Sequence, residues 1–314
     1  MTSVNFDIQK SIREAFGSAL AELGKQNPNV VVLDADLSCS TQTKLFAQNF
    51  PDRFYNCGIA EQNMMTTATG LSLTGKIPFV ATFAVFATGR TYDQIRNSIC
   101  YQKANVKIIG THCGVTVGED GASHQALEDI SLMRGLPNMT VITPADCEEC
   151  RQAVFYASQI DGPVYIRLSR LSLPDIHDEN YVFNPQKAEI LQKGTDISII
   201  SNGDILQEVI KAGEMLKKNG IDAEIINMPV IKPLDTETII NTAQKTGYVV
   251  TVENHSVIGG LGSAVCEVLS KENPTFVQRI GIEDVFGQSG NPKELLKYYE
   301  LDAEGIFKRI VNKK

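Results

Sequence analysis

Short apolar, β-branched runs recur along this chain at intervals that a helix can fill, and that alternation restricts it to one class of fold. Asn29-Val-Val-Val-Leu33 reads as a buried strand, and residues 79–82, 106–111, 140–142 and 164–167 repeat the pattern. Between them, residues 61–73, 92–102, 125–134 and 146–159 carry apolar side chains at helical spacing. Strands separated by helices form a mainly parallel sheet covered by helices on both faces. The pattern lapses at Pro174-Asp-Ile-His-Asp-Glu-Asn-Tyr181, which reads as a linker, and then resumes. Strands over 197–201, 223–226, 248–252 and 275–277 alternate with helices over 205–218, 236–245, 261–271 and 292–298. The expected fold class is therefore α/β, as two domains joined near residue 180, and 314 residues suffice for two cores.

Composition narrows the function. With 29 basic and 37 acidic residues the net charge is −8, which argues against a nucleic-acid backbone as main partner. A small anion held by a few local cations remains compatible. No apolar run approaches the roughly 18 residues of a membrane span. The opening Met-Thr-Ser-Val-Asn-Phe-Asp has neither a basic nor an apolar leader region. Seven scattered cysteines, an odd number, fit a reducing compartment, so the chain reads as cytoplasmic. Cys147-x-x-Cys150 has no second pair to complete a zinc site and reads as packing or surface thiols.

Open α/β sheets bind ligands beyond the carboxyl ends of their strands, and three clusters fall there. In Asn56-Cys-Gly-Ile-Ala-Glu-Gln-Asn63 a glycine turn delivers Glu61 to a helix start among Ile59, Ala60 and Met64. By spacing alone Glu61 reads first as a carboxylate favoured by the helix dipole. Thr82-Phe-Ala-Val-Phe86 sets Phe83 and Phe86 on one face if that turn is helical, which reads first as core packing. Residues 111–124 gather His112, His124, Glu119, Asp120 and three glycines directly after a strand. So polar a loop is hard to explain as packing and points to function. Its histidines are twelve apart and match no common zinc spacing, so no metal is assigned to this chain. Arg167-Leu-Ser-Arg170 adds two arginines past another strand, suited to a phosphate. Gly259-Gly-Leu-Gly262 is a weak dinucleotide signature, with Val265 where a third small residue belongs, and reads as a helix-entry turn. His255 reads as a satisfied structural group. The second half otherwise offers no chemistry.

Taken in order, these clusters resemble the C-terminal half of transketolases. The likeness runs through Asp34-Ala-Asp36, Cys57-Gly-Ile-Ala-Glu-Gln62, Thr82–Phe86, Gly118-Glu-Asp-Gly-Ala-Ser-His-Gln125, Leu168-Ser-Arg170 and Gly259-Gly-Leu-Gly-Ser-Ala264. It covers nearly the whole chain and is nearest to the split transketolases, in which two shorter chains make one enzyme. The resemblance implies a pyrimidine-binding domain over 1–178, a linker over 179–189 and a transketolase C-terminal domain over 190–314. It implies transfer of a two-carbon ketol unit from a ketose phosphate to an aldose phosphate through thiamine diphosphate, as in the pentose phosphate pathway. The Gly-Asp-Gly motif that holds diphosphate and Mg²⁺ in the family is missing here. An N-terminal partner chain is therefore expected to supply it, in an α2β2 heterotetramer.

By the same resemblance Glu61 would hydrogen-bond the pyrimidine ring nitrogen, and apolar neighbours would help it share that proton. Phe83 and Phe86 would stack on the pyrimidine; the family's usual third aromatic is replaced by Gly89. His112 and His124 would act on the substrate's hydroxyls and carbonyl, and Asp120 would read a donor hydroxyl. Arg170, with Ser40, would hold the substrate phosphate. Asp36 would lie near a subunit interface or the pocket rim, and Arg167 has no family role. Rival readings are a 1-deoxyxylulose-5-phosphate synthase, a 2-oxo-acid dehydrogenase beta chain, or a non-catalytic scaffold subunit.

Overall fold

Alternation within Val30–Asp34 sorts its side chains onto two faces. Val30 and Val32 share a core with Phe16 and Leu20 of helix Ile12–Gln26 and Val154 of helix Cys147–Gln159. Val31 and Leu33 face the other way, into a core with Met64, Met65 and Ile95. A strand apolar on both faces belongs inside a sheet layered between helices. That is the architecture of the computed structural model, which describes residues 4–312.

The first sheet runs, edge to edge, Val230–Lys232, Thr140–Ile142, Val164–Arg167, Lys107–Thr111, Ile77–Phe83, Val30–Asp34 and Phe54–Asn56. It is parallel except at Val230–Lys232, a strand lent by the second half of the chain. The second sheet runs Phe276–Ile282, Tyr248–Ser256, Ile197–Ser201, Ala223–Asn227 and Glu189–Gln192, with only the last antiparallel. Ile197, Ile199, Val250 and Val252 form its core with helices Leu206–Lys218 and Ala303–Val311. The two units are not loosely strung: Val80 and Ile108 of the first sheet share one apolar cluster with Ile200 and Ile226 of the second and with Leu261 of helix Leu261–Glu272.

Three local departures from the sequence expectation bear on the site. Helix Ile12–Gln26 was not expected, although Ser11 caps it by accepting from the Glu14 amide at 3.3 Å. The helix expected over 92–102 is one short α-turn, Tyr92–Gln94, followed by a π-helix, Ile95–Cys100, and a second π-helix, Phe86–Arg90, precedes it. The helix expected over 125–134 begins only at Asp129. The preceding residues are committed elsewhere: the Ala126 carbonyl accepts from the Gly114 amide and the Gln125 amide donates to Val115 and Gln288 carbonyls.

Between Leu173 and Glu189 there is no helix or strand, yet the segment is fastened. His177 is buried, with Nδ1 2.9 Å from Asp146 and Nε2 2.8 Å from Glu189. Among the described residues all seven cysteines are unpaired and no helix is long and apolar enough to cross a membrane.

Candidate active site

Helix Glu61–Leu73 starts straight after a turn in which Gly58 takes φ 66°. Ala60 offers no side-chain cap, so the first-turn Glu61 supplies the negative charge that a helix N-terminus favours. Its carboxylate is only 3 % exposed and accepts from Arg90 Nη1 at 2.6 Å. Phe83 ends strand Ile77–Phe83, Ala84 and Val85 are already helical, and Phe86 opens the π-helix, so the turn between the two rings is helical. Their rings lie nearly parallel, 11° apart in plane with centroids at 6.0 Å. The Arg90 guanidinium sits 4.4 Å from the Phe86 centroid. A flat group with N–H donors at its edge thus fits between Phe86 and Glu61, because the guanidinium is one.

The polar loop completes the wall. Strand Lys107–Thr111 ends at His112, whose φ of 57° turns the chain sharply. Its ring stacks on Phe83 at 3.9 Å, and His124 meets Phe86 edge-on at 5.3 Å. Phe83, Phe86, His112 and His124, spread over some forty residues, therefore form one surface. Asp120 is exposed at the loop tip, between Gly118 and Gly121.

Cations gather behind this surface. Arg170 Nη1 donates to the Val117 carbonyl and reaches Glu119 at 3.2 Å. Arg13, on the helix that sequence reasoning missed, donates to the Ser40 carbonyl at 2.7 Å and the Arg170 carbonyl at 3.4 Å. The Arg13 Nε is buried without a partner. Burial first, then the positive charges of Arg13, Arg170 and His124, push the His112 imidazole down to about 3, so it is neutral at physiological pH. Arg13 was legible in principle: Ser11-Ile-Arg-Glu14 has the spacing of a capping box, and Ile12, Phe16, Leu20 and Leu23 follow at helical intervals.

The two arginines of 167–170 part company in the structure, and Arg167, which the resemblance left without a role, is the one turned inward. Arg167 is buried, with Nε 2.7 Å from Asp129 and Nη2 donating to the Asn254 carbonyl at 2.9 Å. Its donors are spent inside the protein, and only Arg170 reaches the rim. Asp36, exposed at φ 65°, accepts from Asn56 at 2.9 Å, outside the histidine wall.

The second half of the chain, silent in the sequence, holds the loop in shape. Gly114 (φ 69°) leaves no room for a Cβ, which would meet the Asn254 amide at 2.3 Å. Asn254 Oδ1 accepts from the Val115 amide, and its Nδ2 donates to Thr116 and Asp204, each at 3.0 Å. Asp204 also accepts from Thr116 at 2.8 Å and Ser169 at 2.9 Å. At Gly259-Gly-Leu-Gly262 the helix N-terminus is occupied by the chain's own Glu253, which accepts from the Leu261 and Gly262 amides. A phosphate there would displace a buried carboxylate, which agrees with a structural turn. Among the described residues no group of three or more His, Cys, Asp or Glu is arranged to hold a metal ion.

A shielded carboxylate, a flat aromatic slot, two histidines and a cationic bowl suit a ring cofactor beside an anionic substrate. Comparison with known proteins points the same way. Residues 9–175 match the family described as transketolase, pyrimidine binding domain, and residues 186–306 match transketolase, C-terminal domain. A solved chain described as a split gene transketolase, inactive beta4 tetramer, is 51 % identical, with a TM-score of 0.90 over 96 % of this chain and 98 % of that one. The 6-deoxy-6-sulfo-D-fructose transketolase subunit of a Clostridium species is 40 % identical over 95 % of this chain and 92 % of its own length. Transketolase of Rattus norvegicus is 38 % identical over 98 % of this chain but only 50 % of its own length. The chain belongs to the transketolase family.

Proposed function

We propose that this chain is the C-terminal subunit of a two-chain transketolase, moving a two-carbon ketol unit from a ketose phosphate to an aldose phosphate. The observation that carries the reading is the buried Glu61 carboxylate set against the Phe83–Phe86 slot, with the Arg13–Arg170 bowl close behind His112. A relative matched along its whole length, and a longer transketolase matched over half of its own, both support a division of the enzyme into two chains. The partner would bring the diphosphate- and Mg²⁺-binding domain, in an α2β2 heterotetramer. The solved relative's beta4 assembly is the kind of self-association expected of such a chain without its partner.

Thiamine diphosphate, when bound, supplies a nucleophilic carbon and an electron sink for cleaving the bond beside a ketose carbonyl. The residues of this chain do the rest. Glu61 would share one proton with the pyrimidine ring nitrogen, its carboxyl donating when protonated and its carboxylate accepting once the ring nitrogen carries the proton, while Phe83 and Phe86 would flank the ring and exclude water. His112, neutral at physiological pH, can both donate to and accept from sugar hydroxyls, and His124 moves a proton at the carbonyl oxygen. Arg170 and Arg13, with Ser40, hold the substrate's tetrahedral anion, and Asp120 reads a donor hydroxyl. The sulfonated sugar in the name of one relative has an anion of the same shape, so it belongs among the substrates tested.

The test is ketol transfer from xylulose 5-phosphate to ribose 5-phosphate by this chain alone and with the diphosphate-domain partner, with and without thiamine diphosphate and Mg²⁺. Turnover is expected only in the complete mixture. Cofactor binding with no transfer from phosphorylated or sulfonated ketoses would replace this reading with another thiamine-diphosphate reaction. No cofactor binding at all would leave a scaffold.

A further inference from the structure

We infer that Arg90 is a built-in latch on the cofactor slot: its guanidinium occupies Glu61 and covers Phe86 until the pyrimidine ring displaces it. The inference rests on the reading of Glu61, Phe83 and Phe86 as cofactor groups.

Two contacts fix the guanidinium, the 2.6 Å hydrogen bond to Glu61 and the 4.4 Å approach to the Phe86 ring. Both are contacts a protonated aminopyrimidine would make, since it too is flat, positively charged and edged with N–H donors. The side chain therefore acts as a surrogate for the ring it excludes. Its exposure is lopsided. The Arg90 side chain is 43 % exposed whereas that of Glu61 is 3 % exposed, so the arginine can swing into water and the carboxylate cannot follow.

The backbone is made for a swinging side chain on a fixed base. The π-helix Phe86–Arg90 is a widened turn, of a kind that recurs at functional sites. The Thr88 hydroxyl donates to the Ala84 carbonyl at 2.8 Å and the Thr91 hydroxyl to the Ala87 carbonyl at 2.5 Å, pinning the turn on both sides of Arg90. Beside it Gly89 has open space where a side chain would stand. Motion of Arg90 thus needs neither the helix nor its neighbour to give way. A latch closed about nine-tenths of the time would weaken apparent cofactor binding about tenfold, because only the open fraction is competent.

The experiment measures thiamine diphosphate binding, in the presence of Mg²⁺, to the assembled two-chain protein by calorimetry, and its loading rate by stopped flow. R90M is expected to bind about tenfold more tightly and to load faster. R90K, which keeps the charge but cannot cover the ring, should fall between the two. In an E61Q background, R90M should change little, since the latch has lost its anchor. Should R90M fail to assemble, R90Q decides by the same criterion. Unchanged or weaker binding in the Arg90 variants, with the wild-type pair still binding cofactor, overturns the latch and spares the cofactor reading. No binding by wild type or variants overturns both.

Discussion

Strand Lys107–Thr111 of the first sheet and strand Tyr248–Ser256 of the second both deliver polar residues at their carboxyl ends, where open α/β sheets bind ligands. In the second sheet those residues are consumed by the protein itself. Glu253 fills the helix N-terminus, Asn254 and Asp204 clasp the 114–116 loop, and His255 Nδ1 lies 2.7 Å from the Ser256 carbonyl. In the first sheet capacity is left over: Arg13 Nε has no partner, and Phe86, His124 and Arg170 are half-exposed. The ends of these two strands thus differ in whether their polar groups already have partners. The closed edge serves the open one by holding its loop.

Breaking the open edge should give the largest effect. Glu61→Ala is expected to lower ketol transfer by about a thousandfold or more while leaving the unfolding transition near that of wild type; near-normal turnover would discard the mechanism. Breaking the closed edge should cost stability first. Asp204→Ala strands donors from Thr116, Ser169 and Asn254, so denaturant unfolding should lose about 3 kcal/mol, with activity falling because the loop loosens. A full-strength transition would show that the clasp is decorative. Arg170→Ala should raise KM for a phosphorylated ketose about thirtyfold and leave kcat and unphosphorylated ketoses nearly untouched. An unchanged KM would remove Arg170 from the anion bowl.

The smallest effect sharpens the comparison through pH. Burial alone would push the His177 imidazole down, but hydrogen bonds to Asp146 and Glu189 outweigh it and raise the group to about 10. The ordinary value is 6.5, so the folded state holds this proton more tightly than the unfolded chain. The stabilisation is complete below pH 6.5 and disappears as pH rises through about 10. His177→Gln should therefore lie about 1–2 kcal/mol below wild type at neutral pH, with the gap closing toward alkaline pH. A gap constant with pH would mean the ring matters only by its shape.

What was legible in the sequence was whatever acts over short stretches. The Val-Val-Val-Leu run at 30–33 and the alternation after it fixed both sheets, because continuous apolar strands between helices have few other solutions. The candidate residues of the 111–124 loop stood out because so many polar and titratable groups in one loop are hard to explain as packing. The π-helical turns were not readable, since their sequences carry ordinary helical spacing and differ only in the backbone register. The clasp was out of reach for another reason: Asn254 and Val115 are 139 residues apart, and neither is unusual where it stands. By spacing alone Arg167 and Arg170 look equivalent; the family resemblance set Arg167 aside, and the buried Asp129 beside it supplies the physical reason.

The left-handed backbone at His112, φ 57°, has a consequence for any library made at that position. Glycine, asparagine and aspartate take up that conformation with little strain, whereas valine, isoleucine and threonine do not. Selection there would sort variants by backbone tolerance before chemistry had any say. A depleted isoleucine would report a broken turn, and a depleted asparagine would report a lost imidazole. His112→Asn is consequently the substitution whose failure speaks about the ring alone.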